Sequence, residues 1–114
     1  METNKELTLN EYQDFTVKNA ICRHDHEIPY LALALGGEVG EIADKVKKVL
    51  RDKRGNFFAT DIHALCLELG DALYYMALLA KVLGYTFSEI AQLNIDKING
   101  RMERGTLHGS GDER

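Results

Sequence analysis

Apolar residues recur three and four positions apart through most of this 114-residue chain, and the alternation expected of half-buried strands is scarce. That period predicts an all-α protein of four helices. Thr8-Leu9-Asn10-Glu11 forms a capping box, in which the Thr8 hydroxyl and the Glu11 carboxylate each satisfy an amide at the helix start. The first helix is therefore expected from about Leu9 to about Cys22. Pro29, the only proline, suits the first turn of a second helix, where its missing N–H costs nothing. The period from Tyr30 then runs to about Arg51, before Asp52-Lys53-Arg54-Gly55-Asn56 breaks it. Thr60 or Asp61 can cap a third helix, which ends at Leu83 because Gly84 offers the left-handed conformation favoured past a helix end. Thr86-Phe87-Ser88-Glu89 is a second capping box and opens a fourth helix reaching about Met102. Residues 1–104 read as one domain and 105–114 as an irregular, glycine-rich tail.

Short connections make neighbouring helices antiparallel, so the architecture expected is a four-helix, bundle-like domain. Its third helix carries the run Ala72-Leu73-Tyr74-Tyr75-Met76-Ala77-Leu78-Leu79-Ala80, apolar on nearly every face. Such a helix needs cover all round. Four short helices rarely enclose one of their own, so oligomerisation through the helices is expected.

Composition narrows the classes of function. The charged fraction is 28% and the net charge −4, whereas a duplex nucleic-acid-binding domain is normally basic, so no nucleic-acid partner is expected. The first residues show no basic region followed by an apolar run. No uninterrupted apolar stretch reaches the roughly 18–20 residues of a membrane span. Cys22 and Cys66 fit no metal-binding pattern and read as buried free thiols of a reducing compartment. A soluble, cytoplasmic protein without a membrane partner is the expectation.

The candidate chemistry lies in two matched acidic pairs, Glu38/Glu41 and Glu68/Asp71. Residues three apart on a helix share a face, so each pair aims two carboxylates one way, and two such helices facing each other would make a four-carboxylate cage. Leu33, Leu35, Val39 and Ile42 surround the first pair, and Leu65, Leu67, Leu69, Leu73 and Leu78 the second, so the acids border apolar stripes. Gly36, Gly37, Gly40 and Gly70 accompany them; a glycine inside a helix costs about 1 kcal/mol relative to alanine, which asks for close approach of a neighbouring helix or ligand. Converging carboxylates repel unless a cation keeps them ionised. All-oxygen ligation suits Mg²⁺ first and Mn²⁺ second. Zinc and iron fit less well, since no His stands at Glu-x-x-His spacing, and His24 and His26 read as a solvent-exposed pair in a connector.

Two basic stripes complete the pattern. Lys45 and Lys48 follow Glu38 and Glu41 at steps of four and three, so a phosphate held by the metals could reach them. Asn94, Lys97 and Arg101 form a similar stripe on the fourth helix. No Gly-rich phosphate loop occurs.

The motif Leu35-Gly36-Gly37-Glu38-Val39-Gly40-Glu41-Ile42-Ala43 followed by Glu68-Leu69-Gly70-Asp71-Ala72-Leu73-Tyr74-Tyr75 resembles the ExxE…ExxD signature of the MazG-like nucleotide pyrophosphohydrolases. The resemblance runs from about Tyr30 to Arg104. It implies an all-α NTP pyrophosphatase, a homodimer or homotetramer, that converts nucleoside triphosphate to monophosphate and pyrophosphate with Mg²⁺. By position it implies Glu38, Glu41, Glu68 and Asp71 as metal ligands and Asn94, Lys97 and Arg101 as phosphate contacts, with Lys48 a further one. Tyr12, Phe15 and Asn19, which share a face of the first helix, are the weaker candidates for contact with the base.

Metals bound by the four acids would clamp the triphosphate and lower the pKa of an attacking water, and a carboxylate not fully occupied, Glu41, could orient that water. Two alternatives stay open: another pyrophosphatase of the superfamily, acting on dUTP or phosphoribosyl-ATP, and a noncatalytic helical oligomerisation module.

Overall fold

The computed structural model describes residues 5–20 and 26–105. Among these, four helices follow one another: α1 (Leu9–Asn19), α2 (Glu27–Lys53), α3 (Ala59–Val82) and α4 (Phe87–Arg104). The all-α architecture is as expected. Cys22, His24 and the tail at 106–114 lie outside the described residues; α1 ends at Asn19, short of the Cys22 expected, because Ala20 turns extended (φ −71°, ψ 127°).

Both capping boxes form. Thr8 accepts from the Glu11 N–H at 3.1 Å and Glu11 accepts from the Thr8 N–H at 2.9 Å, and Thr86 and Glu89 repeat the pattern at 3.1 and 2.8 Å. Pro29 sits in the first turn of α2, where no intrahelical acceptor awaits its missing donor. That helix runs to Lys53, two residues further than its period suggested, and stops where Arg54 (φ 54°) and Gly55 (φ 79°) turn left-handed. Gly84, at φ 88°, ends α3 as expected.

The start of α3 corrects the sequence reading. Its N-cap is Phe58, which has no side-chain acceptor, rather than Thr60 or Asp61. Asp61 works from the third helical position instead, accepting from the Phe58 N–H at 2.9 Å and from Lys53 Nζ at 2.6 Å. The Lys53 bond first, and then the Phe58 N–H, hold the Asp61 carboxyl below its ordinary value. One carboxylate thus caps α3 and ties it to the end of α2.

Helices α2 and α3 pack against each other over much of their length, α1 lies on α3, and α4 crosses the junction of α1 and α3. At that junction sit Ala77, Ala80 and Phe87, with Tyr12, Leu73 and Ile90 against them. Gln13, only 4% exposed, locks it. Its Nε2 donates to the carbonyls of Ala77 (3.2 Å) and Tyr85 (3.0 Å), and its Oε1 accepts from the Phe87 N–H (3.1 Å). Asn10 Oδ1 takes a further orphan amide of α4, the Ser88 N–H, at 3.0 Å.

Much apolar surface remains uncovered. Leu33 is 77% and Leu67 59% exposed, and Val39, Leu69 and Met76 are exposed as well. The radius of gyration, 17.4 Å, exceeds the roughly 13 Å of a compact domain of this length. Three expectations are corrected here. A Cβ placed on Gly36, Gly37, Gly40 or Gly70 would meet nothing within 4 Å, so no close helix approach within the chain explains these glycines. Cys66 is exposed rather than buried, because it lies on the open side of α3.

And α3 is, by length and composition, apolar enough to cross a membrane, with a mean hydropathy of 1.3 over its best window. Glu68 and Asp71, which interrupt the apolar run in the sequence, lower that mean without making the helix polar. A charge at the centre of a bilayer costs about 2.5–3.5 kcal/mol, so a helix with two acids near its middle asks for protein cover instead.

Gln13→Leu removes the side-chain partner of the buried Phe87 N–H and of the Ala77 and Tyr85 carbonyls and is expected to destabilise the fold by about 1–3 kcal/mol. Urea unfolding followed by circular dichroism checks this; a change below about 0.5 kcal/mol would remove Gln13 as the lock of the junction.

Candidate metal centre

The antiparallel pairing of α2 and α3 sets Glu38 across from Glu68 and Asp71. One carboxylate oxygen from each of the three lies within 4.8 Å of the others. Glu68 and Asp71 meet there because their spacing of three keeps them on one face of α3, and Glu38 comes from the facing side of α2. The donor set is oxygen only and carries up to three negative charges, which fits a hard divalent cation. Glu38, Glu68 and Asp71 are the residues that would hold it.

Crowding shows in the electrostatics. Burial first, and then the charges of Asp71, Glu68 and Glu41, push the Glu38 carboxyl above its ordinary value. Glu41 is exposed and stands outside the trio, close enough to add to this repulsion. The four-carboxylate cage is therefore three converging carboxylates with a fourth beside them. An internal counter-charge is present: Lys45 Nζ lies 3.7 Å from Glu68 Oε1, whose side chain is 17% exposed.

Two cavities flank the trio. One, of about 340 Å³, is lined by Glu38, Asp71, Tyr74 and Tyr75. The two tyrosine rings meet edge to face with centroids 5.4 Å apart. Sequence reasoning counted these tyrosines only as part of an apolar run, yet they stand three and four residues beyond Asp71, the spacing that shares its face. The other cavity, of about 210 Å³, is walled by Lys45, Lys48, Lys53, Asp52 and Asp61 around Val49 and Leu65.

The remaining candidates divide. Half-buried Tyr12 has its phenol pushed up by burial and then by the charges of Tyr74 and Asp71, which brings α1 to the edge of the site. Phe15 stacks on Tyr12 with centroids 6.4 Å apart. Asn19 is exposed, and its amide donates to the Phe15 carbonyl at 2.8 Å. Lys48 lines the smaller cavity but bonds Asp44 at 2.9 Å, the same carboxylate that takes Lys47 at 2.7 Å. Lys47 and then Lys48 hold Asp44 down to about 2.

Asn94 and Lys97 are exposed on α4, and Arg101, 5% exposed, is buried. None of these three lines either cavity, and α4 packs on α1 and α3.

The paired helices of this all-α chain thus bring Glu38, Glu68 and Asp71 together as a candidate site for a hard cation. The chain belongs to the MazG nucleotide pyrophosphohydrolase family, whose domain model matches residues 24–106. It is similar to the Gene 37 protein of Mycobacterium phage L5, 43% identical over 93 residues that cover 82% of each chain. No solved structure matches it.

Glu38 gives the pH dependence a sign. Its raised value in the fold means that the folded protein holds a proton the unfolded chain has already released, so its contribution to stability is present at low pH and lost as pH rises through the raised value. In chelator, Glu38→Gln is therefore expected to melt higher than wild type at pH 7, with the gap closing as pH falls through the carboxylate range. Melting curves across pH check this; a gap that stays constant with pH removes the like-charge crowding at Glu38.

Proposed function

We propose that the protein is a Mg²⁺-dependent nucleoside triphosphate pyrophosphohydrolase that converts a (d)NTP to (d)NMP and pyrophosphate, in the service of nucleotide-pool sanitation in the cytoplasm. The observation that carries the reading is the convergence of Glu38, Glu68 and Asp71 from α2 and α3 in a chain of the MazG family. Mg²⁺, or Mn²⁺ in its place, would supply charge neutralisation at the phosphates and a lower pKa for a bound water. The protein's own groups do the rest.

Glu38, Glu68 and Asp71 would hold the cation. Glu41, outside the trio, is left to orient the water that attacks the α-phosphorus, so that the α–β bond breaks and pyrophosphate leaves. Lys48, in the wall of the smaller cavity, is assigned to the phosphates, with Asn94, Lys97 and Arg101 as further phosphate contacts on the strength of the family pattern. Tyr74, Tyr75 and Tyr12, with Phe15 and Asn19 behind Tyr12, favour the nucleoside side.

Assembly belongs to the same reading. Leu33, Leu67, Leu69 and Met76 lie open, and Gly36, Gly37, Gly40 and Gly70 face space that nothing among the described residues fills. A homodimer or homotetramer supplies the cover. Sedimentation equilibrium is expected to return two or four times the 12.8 kDa chain mass; a monomer at every concentration would overturn the assembly.

Pyrophosphate release from a panel of standard and modified (d)NTPs, dUTP and phosphoribosyl-ATP, with Mg²⁺ present or chelated, tests the activity. Wild type is expected to require the metal, and Glu41→Gln and Asp71→Asn each to lower kcat at least about 100-fold. Absence of metal-dependent hydrolysis across the panel, or full activity in both variants, would leave a noncatalytic helical module.

A further inference from the structure

The lysines of α2 do not all have the same kind of partner. Lys47 and Lys48 hold Asp44 at 2.7 and 2.9 Å, and Lys53 holds Asp61 at 2.6 Å. These are close, charge-assisted hydrogen bonds to carboxylates outside the metal trio. Lys45 instead leans on a member of the trio, Glu68, at 3.7 Å. That distance is ion-pair contact without a hydrogen bond, so the pair is the loosest of the four and the most readily exchanged. The Lys45 side chain is 39% exposed and so retains room to move.

Lys45 also belongs to the wall of the cavity of about 210 Å³ that holds Lys48 and Lys53. Lys45 therefore borders both the carboxylate cluster, through its ammonium, and the lysine-lined hollow. The hollow's wall carries the lysines Lys48 and Lys53, held by Asp44 and Asp61, beside Asp52, so Lys45 turning into it would add an ammonium that no carboxylate there already holds.

In the metal-free protein Lys45 offsets the mutual repulsion of Glu38, Glu68 and Asp71. A divalent cation on the same carboxylates competes for Glu68 and repels the ammonium, since two charges a few Å apart interact strongly where water is partly excluded. The hollow gives the lysine stem another place to go. Resting on the pyrophosphohydrolase reading above, we propose that Lys45 is an exchangeable counter-ion: it holds Glu68 until the cation arrives and then turns into the adjoining hollow to bind the diphosphate end of the triphosphate. Lys45, more than Lys48, then links metal occupancy to grip on the substrate.

The two halves of this role have opposite signs, which separates it from a static ion pair. Titration calorimetry on full-length wild type, Lys45→Met and Lys45→Arg uses Mg²⁺ alone and then inorganic pyrophosphate at saturating Mg²⁺. Loss of the competing ammonium is expected to tighten Mg²⁺ binding to Lys45→Met about 5- to 10-fold, and to weaken pyrophosphate binding by a similar factor. Lys45→Arg is expected to stay near wild type in both. Unchanged or weaker Mg²⁺ binding by Lys45→Met, or unchanged pyrophosphate binding, overturns the proposal, while metal-dependent hydrolysis by wild type would leave the enzyme reading standing. Wild type that binds no metal at all removes both.

Should Lys45→Met fail to fold, nuclear magnetic resonance of the lysine ammonium groups in wild type decides, with the Lys45 signal assigned by its loss in Lys45→Arg. That signal is expected to shift with Mg²⁺ and again with pyrophosphate, and a signal that stays in place overturns the exchange.

Discussion

Like charges held close together govern this molecule. Three carboxylate oxygens within 4.8 Å repel one another, and the pairing of α2 with α3 has to hold them there by contacts made elsewhere along the two helices. Leu31, Val49, Ala72 and Leu78 supply buried apolar surface along the pair, and the Lys53–Asp61 bond of 2.6 Å fastens its turn. The repulsion is therefore sustained by packing on either side of the acids. A bound cation would turn that local cost into a gain, which is how a helix pair becomes a metal-responsive element.

The other half of the fold positions what lies around the acids. Gln13 spans three backbone groups that belong to α3, the following turn and α4, so the rotation of α1 about its axis is fixed relative to α3. Tyr12 is the next residue along the chain, and it is thereby brought near Tyr74 and Asp71. A backbone bracket on one face of α1 thus sets the approach of an aromatic side chain to the metal trio. This part of the molecule holds the buried cluster of Ala77, Ala80 and Phe87, whereas Leu33, Val39, Leu67 and Leu69 lie exposed on the helices that carry the acids.

What was legible in the sequence is what depends on neighbours along the chain. Thr8/Glu11 and Thr86/Glu89 cap their helices over three residues, and Gly84 ends α3 by a property of its own backbone. The acidic pairs were legible for the same reason, since a spacing of three fixes a shared face. Relations between helices were not. Spacing treats Glu38 and Glu41 alike, yet only Glu38 lies within reach of Glu68 and Asp71. It likewise treats Lys45 and Lys48 alike, yet Asp44 takes Lys48 and Glu68 takes Lys45. Gln13 carries no local signal at all, because its three partners lie 64 to 74 residues away. Cys66 and the helix glycines were misread because an apolar or small residue implies burial only when something in the same chain arrives to cover it.

The order of charges along α2 has a physical sense that neither pair of residues shows alone. Glu38, Glu41, Lys45 and Lys48 descend one stripe of the helix over about 15 Å, at 1.5 Å per residue, and change sign halfway. A substrate laid along that stripe would meet carboxylates suited to a cation at one end and ammonium groups suited to phosphate oxygens at the other. Asp44 holds Lys48 and Asp61 holds Lys53, which keeps the lysine end from becoming a strong anion trap, so affinity for free phosphate in the absence of the cation stays low. Binding of the anion is then conditional on the metal, and Lys45, at the point where the sign changes, is the residue on which that condition acts.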